Sequence, residues 1–175
     1  MLRFTKMQGI GNDYLYINCF DQYVPNPGAL AKQMCREHYG VGADGIVLIE
    51  PGETSPFAMR IFNRDGSEAE MCGNGARCFT AFACHLSGGK TTTLCFETMA
   101  GIVRGQVNPD EDVTILLTEP NSLKLNILPA DNIIPAPVHF LNTGVPHAVV
   151  FLPDVENIDL NTMGAYLRYH RTFAP

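Results

Sequence analysis

The sequence predicts an α+β protein in which a curved sheet wraps a central buried helix, and three observations carry that expectation. Residues 74–86 are apolar on nearly every face, with only Arg77, Thr80 and His85 as polar interruptions. A helix that is apolar all round must be buried all round. Residues 94–98, 102–107 and 113–117 alternate or are β-branched, and short turns such as Met99-Ala100-Gly101 separate them, so they supply strands to enclose it. Apolar residues make up 46% of the 175, against 17% charged, enough to build a core.

The elements follow in order along the chain. A strand over 3–7 runs into the glycine turn Gln8-Gly9-Ile10-Gly11-Asn12, which places Asn12 at a turn, and a second strand follows over 14–19. Asn26 as cap, Pro27 in the first turn, Leu30, Met34 and His38 at helical spacing and Gly40 beyond predict a helix that reaches His38. Residues 45–50 and 57–62 read as strands, and the second ends in Asn63-Arg64-Asp65-Gly66-Ser67-Glu68, a tight turn that presents Asn63. Cys72 and the apolar helix come next. Residues 119–137 are proline-bearing and show little periodicity before Ile133, which predicts a crossing between units. The expected division is therefore an N-terminal unit over 1–118, and a linker with the incomplete start of a second half over 119–175. In that second part, strands over 139–142 and 148–152 flank Thr143-Gly144-Val145-Pro146-His147, and a helix follows near 161–170. One helix and two strands bury little apolar surface, so this part reads as cut short.

Composition narrows the function. A net charge of −6 and a pI near 5.2, without clustered Lys and Arg, argue against a nucleic-acid surface and for a small-molecule ligand. The N-terminus lacks the apolar core of a signal peptide, and no run approaches the ~20 apolar residues that span a bilayer. A cytoplasmic protein without membrane association is expected. Six cysteines at unequal spacings give no disulfide framework, so reduced thiols are the default.

The chemistry concentrates at Met71-Cys72-Gly73-Asn74-Gly75-Ala76-Arg77-Cys78. A helix start offers unpaired N–H groups and a partial positive charge, which favour a thiolate at Cys72 and can hold an anionic group beside it. The bland alternative is a buried structural cysteine. Gly73 and Gly75 weigh against it, because they strip the helix start of side chains and let a ligand approach the backbone. Zinc is disfavoured, since Cys72, Cys78 and Cys84, with five residues between successive cysteines, match no short-loop metal spacing. Cys78, Cys84 and Cys95 read as core filler. Among the histidines, only His147 sits in a Gly-x-Pro-His turn that could fix a functional imidazole. Asn12, Asn63 and Asn74 are each weak alone, but three amides around a thiol would suit a zwitterion's ammonium and carboxylate groups. Asp44, Asp65 and Glu68 read as turn formers without a catalytic role.

Four segments carry a family resemblance: Lys6-Met7-Gln8-Gly9-Ile10-Gly11-Asn12-Asp13, Gly40-Val41-Gly42-Ala43-Asp44-Gly45, Asn63-Arg64-Asp65-Gly66-Ser67-Glu68 and the Cys72 stretch. Together with Thr143-Gly144-Val145-Pro146-His147, they make the chain resemble the diaminopimelate epimerases over essentially its whole length. The resemblance implies a mostly antiparallel sheet or barrel around the central helix, normally in two pseudo-symmetric halves. It implies interconversion of LL- and meso-diaminopimelate in lysine biosynthesis without pyridoxal phosphate or metal, by two cysteines on opposite faces of the α-carbon. Carried over, Cys72 is one acid/base thiol, the Gly73 and Asn74 backbone holds the α-carboxylate, Asn12 and Asn63 contact substrate, and His147 tunes the thiol's proton affinity. A homodimer stays open.

Two departures stand out. Gly45 replaces a Gln, and Val145 an Asn, that contact substrate in some members. The family's second Cys-Gly helix start and its Glu-Arg pair also have no counterpart in residues 79–175. An amino-acid racemase of the same fold acting on another substrate, or a non-catalytic amino-acid-binding module without the second base, therefore remain as alternatives.

Overall fold

The structure is a computed structural model that describes residues 1–173, and its contacts divide the chain into two units, Met1–Thr118 and Glu119–Pro175. In the first, β1 (Thr5–Gly9) and β2 (Asn12–Asn18) form a hairpin closed by two residues, with Gly9 opposite Asn12. Both loop residues have positive φ, 48° at Ile10 and 84° at Gly11, as a type I′ turn requires. Gly11 meets that demand without strain; Ile10, β-branched and 85% exposed, does not.

The helix α1 (Pro27–Met34) then carries the chain over to β3 (Gly45–Glu50), which lies parallel to β2. Its Asn26 cap accepts a hydrogen bond from the Ala29 N–H at 3.0 Å. It stops four residues short of the expected His38. Cys35 caps it, His38 adopts a left-handed φ of 65°, and the returning N–H groups of Val41 and Gly42 both bond the Met34 carbonyl.

β4 (Phe57–Asn63) pairs antiparallel with β3 and carries the two-residue β5 (Glu68–Ala69) on its other side. The helix α2 (Gly73–Leu86) follows, then β6 (Thr93–Thr98), β7 (Gly101–Val107) and β8 (Val113–Leu116), giving the sheet order β1-β2-β3-β4-β6-β7-β8. The sheet is mixed but mostly antiparallel, the β2–β3 and β4–β6 pairs being the parallel ones. Because α2 touches β1 and β2 at one end of this order and β7 and β8 at the other, the sheet curls around it.

Burial explains the continuous apolar runs of β2 and β3. Tyr14, Tyr16, Val47 and Ile49 face α2, whereas Leu15, Ile17, Ile46 and Leu48 face α1, so both sides of the sheet are covered. The central helix is less enclosed than its composition suggests: Ala81 and Phe82 are half-buried, and His85 and Leu86 are exposed at its end. Cys95 is also not filler. Alternation along β6 turns Leu94 and Phe96 inward and leaves Cys95 exposed.

In the second unit, β9 (Asn121–Leu128), β10 (Val138–Asn142) and β11 (Pro146–Val150) form an antiparallel sheet, followed by α3 (Leu160–Arg168) with Asp159 as its cap. The strand β9 occupies a stretch expected to lack periodicity. Ile134 and Val138 are its most deeply buried side chains among the described residues. No helix of the described residues is long and apolar enough to cross a membrane.

Candidate active site

Cys72 is the N-cap of α2. Its extended backbone (φ −143°, ψ 115°) leads into the helix, its Sγ accepts from the Gly75 N–H at 3.4 Å, and its carbonyl accepts from Ala76 at 2.8 Å. With those two donors used, the N–H groups of Gly73 and Asn74 are what the helix start presents to an anion. The thiol is half-buried, against Tyr14 and the core.

Asn12, the first residue of β2, reaches the thiol: Cys72 Sγ donates to Asn12 Oδ1 at 3.3 Å. The other end of the same amide donates from Nδ2 to Asp44 Oδ2 at 2.6 Å. That carboxylate oxygen also accepts from the Asp13 N–H at 3.1 Å, and Asp13 is paired with Lys6 at 2.9 Å. Parallel pairing of β2 and β3 brings residues 12–13 and 44 together, since Tyr14 lies opposite Gly45.

Tyr14 was not singled out by the sequence reading. The residue is only 6% exposed, and it lies beside the Cys72 thiol and the Asn12 amide. Burial and the neighbouring Cys72 hold this phenol far above its ordinary proton affinity, so it stays a donor. Gly45 makes room for it: a Cβ there would lie 2.4 Å from the Phe62 carbonyl and 2.9 Å from the Tyr14 ring. Tyr16, next inward on this face, donates its buried hydroxyl to the Gly75 carbonyl at 2.9 Å and ties the helix start to β2.

The other expected residues are less gathered. Asn63 ends β4 opposite Gly45, in line with Tyr14 across three strands, but its Nδ2 donates to Ser67 Oγ at 3.1 Å within its own turn. The Asn74 amide accepts from Arg77 at 2.6 Å, which leaves its backbone rather than its side chain facing outward at the helix start. His147 belongs to the second unit. There its Nδ1 lies 2.7 Å from the Val145 carbonyl, which makes Nδ1 the protonated nitrogen and leaves Nε2 available, and it lines a cavity of about 530 Å³ with Phe140 and Arg168. Burial raises the thiols of Cys78 and Cys84, and pushes Cys19 and Cys35 up to about 11. Among the described residues, no three His, Cys, Asp or Glu side chains converge as a metal would need.

The fold of this sheet and helix is shared with proteins whose solved structures match over most of the chain. One is a hydroxyproline epimerase from Agrobacterium vitis with bound trans-4-OH-L-proline (TM-score 0.65, 17% identity, covering 93% of this chain and 53% of that one). Another is a phenazine biosynthesis protein of the PhzF family from Bacillus anthracis (TM-score 0.56, 20% identity, covering 84% and 53%). At these identities the likeness is one of fold. Sequence is more specific: the chain belongs to the diaminopimelate epimerase family, whose profile matches residues 4–123. Diaminopimelate epimerases from Methanocella arvoryzae (39% identity, 96% of this chain, 64% of that protein) and Acetivibrio thermocellus (36%, 98% and 67%) are among its relatives. The chain thus spans about two thirds of the length of these curated relatives.

Proposed function

We propose that this chain supplies one side of a diaminopimelate epimerase site, with Cys72 as one of two proton-transfer thiols. The observation that carries the reading is the joining, in one place, of a half-buried thiol, a helix start with two presented N–H groups and a fixed amide. The Gly73 and Asn74 N–H groups would receive the substrate α-carboxylate, into which charge spreads as the α-proton leaves. Cys72 as thiolate takes that proton: the C–H bond breaks, an S–H bond forms, and the electron pair stays on the α-carbon and its carboxylate. A second thiol on the opposite face returns a proton, and inversion follows. Residues 79–175 hold no second Cys-Gly pair, so in this reading the opposing thiol comes from outside these 175 residues. Asn12 and Asn63 would contact the substrate, and His147 would tune a thiol's proton affinity.

The same reading needs no cofactor, places the reaction in the cytoplasm with reduced cysteines, and has a free amino acid rather than nucleic acid as ligand. A homodimer belongs to it and is open to sedimentation measurement. The test of function is inversion itself, read by chiral chromatography of LL-diaminopimelate. The 175-residue chain alone is expected to leave the substrate uninverted, and to gain activity when the remaining third of the Methanocella arvoryzae relative is joined to it. Appreciable turnover by the chain alone contradicts the two-thiol reading. Undiminished turnover by the joined protein after Cys72→Ala removes Cys72 from the chemistry.

A further inference from the structure

We infer that Asp44 is a positioning residue that fixes the Asn12 amide so that its oxygen, not its nitrogen, faces the Cys72 sulfur. The argument starts from what an ionised carboxylate can do: it accepts hydrogen bonds and donates none. The group of Asn12 that lies 2.6 Å from Asp44 Oδ2 must therefore be the NH₂, and the amide oxygen is left to meet Sγ at 3.3 Å. Asp44 is itself held. Its backbone N–H bonds the Asp13 carbonyl at 2.9 Å, and its Oδ2 accepts the Asp13 N–H at 3.1 Å, a clasp between the start of β2 and the residue before β3.

An amide oxygen directed at sulfur can bond S–H but opposes S⁻, whereas an NH₂ in its place would favour S⁻. Asp44 thus presents the amide oxygen to the sulfur on one side, while the Gly75 N–H donates to it on the other. The other titratable groups around the sulfur are Tyr14 and Tyr16 on β2 and Cys78 on α2, with Arg77 on the same helix and the Lys6–Asp13 pair beyond Asn12. A thiol that must take a proton in one direction and give it in the other gains from such balance. That functional meaning rests on the epimerase reading; the positioning does not, and its test uses no substrate.

The test is the pH profile of Cys72 alkylation by iodoacetamide, followed by peptide mapping. Asp44→Asn frees the amide to turn and should move the midpoint to lower pH by about half a unit or more. Loss of the carboxylate's charge alone would act in the same direction, so the comparison is made again in an Asn12→Ala background. There the Asp44→Asn shift should shrink to a small fraction, because the group through which Asp44 acts is gone. Equal shifts in the two backgrounds, or none in either, overturn the inference. Should Asp44→Asn fail to fold, seen as rapid alkylation of Cys78 and Cys84, the unsubstituted protein decides. One proton of its Asn12 side-chain NH₂ should then be protected from solvent exchange in NMR, and an NH₂ whose two protons both exchange freely overturns the assignment.

Discussion

At the scale of single residues, the site depends on side chains whose importance comes from their neighbours across strands. Gly45 illustrates this. Its place beneath the Tyr14 ring is set by strand register, and a methyl group there collides with backbone as well as ring. Gly45→Ala is therefore expected to destabilise the protein by about 1–3 kcal/mol in urea unfolding, the range for overpacking a filled site. Tyr14→Phe, which keeps the ring, should not relieve that cost; a neutral Gly45→Ala would show that both the ring and the Phe62 backbone give way. Legibility in the sequence divides along the same line. The helix start at Cys72, Gly73 and Asn74 is legible because capping is local, a matter of four consecutive residues. Asp44 reads as a turn former and Tyr14 as an ordinary strand aromatic, since their contacts with Asn12, Asp13 and Cys72 appear only once β2 and β3 run parallel.

At the scale of elements, turns decide where the sequence pattern holds and where it breaks. The β1–β2 hairpin delivers Asn12 to the thiol, yet it carries Ile10 in a left-handed conformation that costs a β-branched residue roughly 1–2 kcal/mol. Ile10→Asn, which creates the favoured Asn-Gly pair for this turn, should raise the unfolding free energy by about 1 kcal/mol. No gain in the urea midpoint would mean that contacts of the Ile10 side chain outweigh the strain. The helix α1 fell short of its periodic pattern because a return turn folds back onto the Met34 carbonyl and leaves no continuing backbone partner. The strand β9 went unread although Leu123, Leu125 and Ile127 alternate with polar residues. Its flanking prolines suggested a crossing, and positive φ angles at Ser122 and Asn126 interrupt the regular ladder with register shifts.

At the scale of the whole molecule, the first unit wraps a curled sheet around α2 and so holds the helix start against the β1–β2 hairpin. That arrangement sets one cysteine, Cys72, at the helix start as its N-cap. Cys78 and Cys84 are buried within the same helix with raised thiols, and Cys95 is an exposed thiol on the outer face of β6. In the proposed function, Cys72 is the substrate-facing acid/base thiol. The most direct test of that role is the iodoacetamide rate of each cysteine near neutral pH, measured by peptide mapping with and without diaminopimelate. Cys72 should react faster than Cys78 and Cys84 and be protected by diaminopimelate, while the rate at Cys95 stays unchanged. Faster labelling of Cys78 or Cys84, or a Cys72 rate that diaminopimelate leaves untouched, would contradict it.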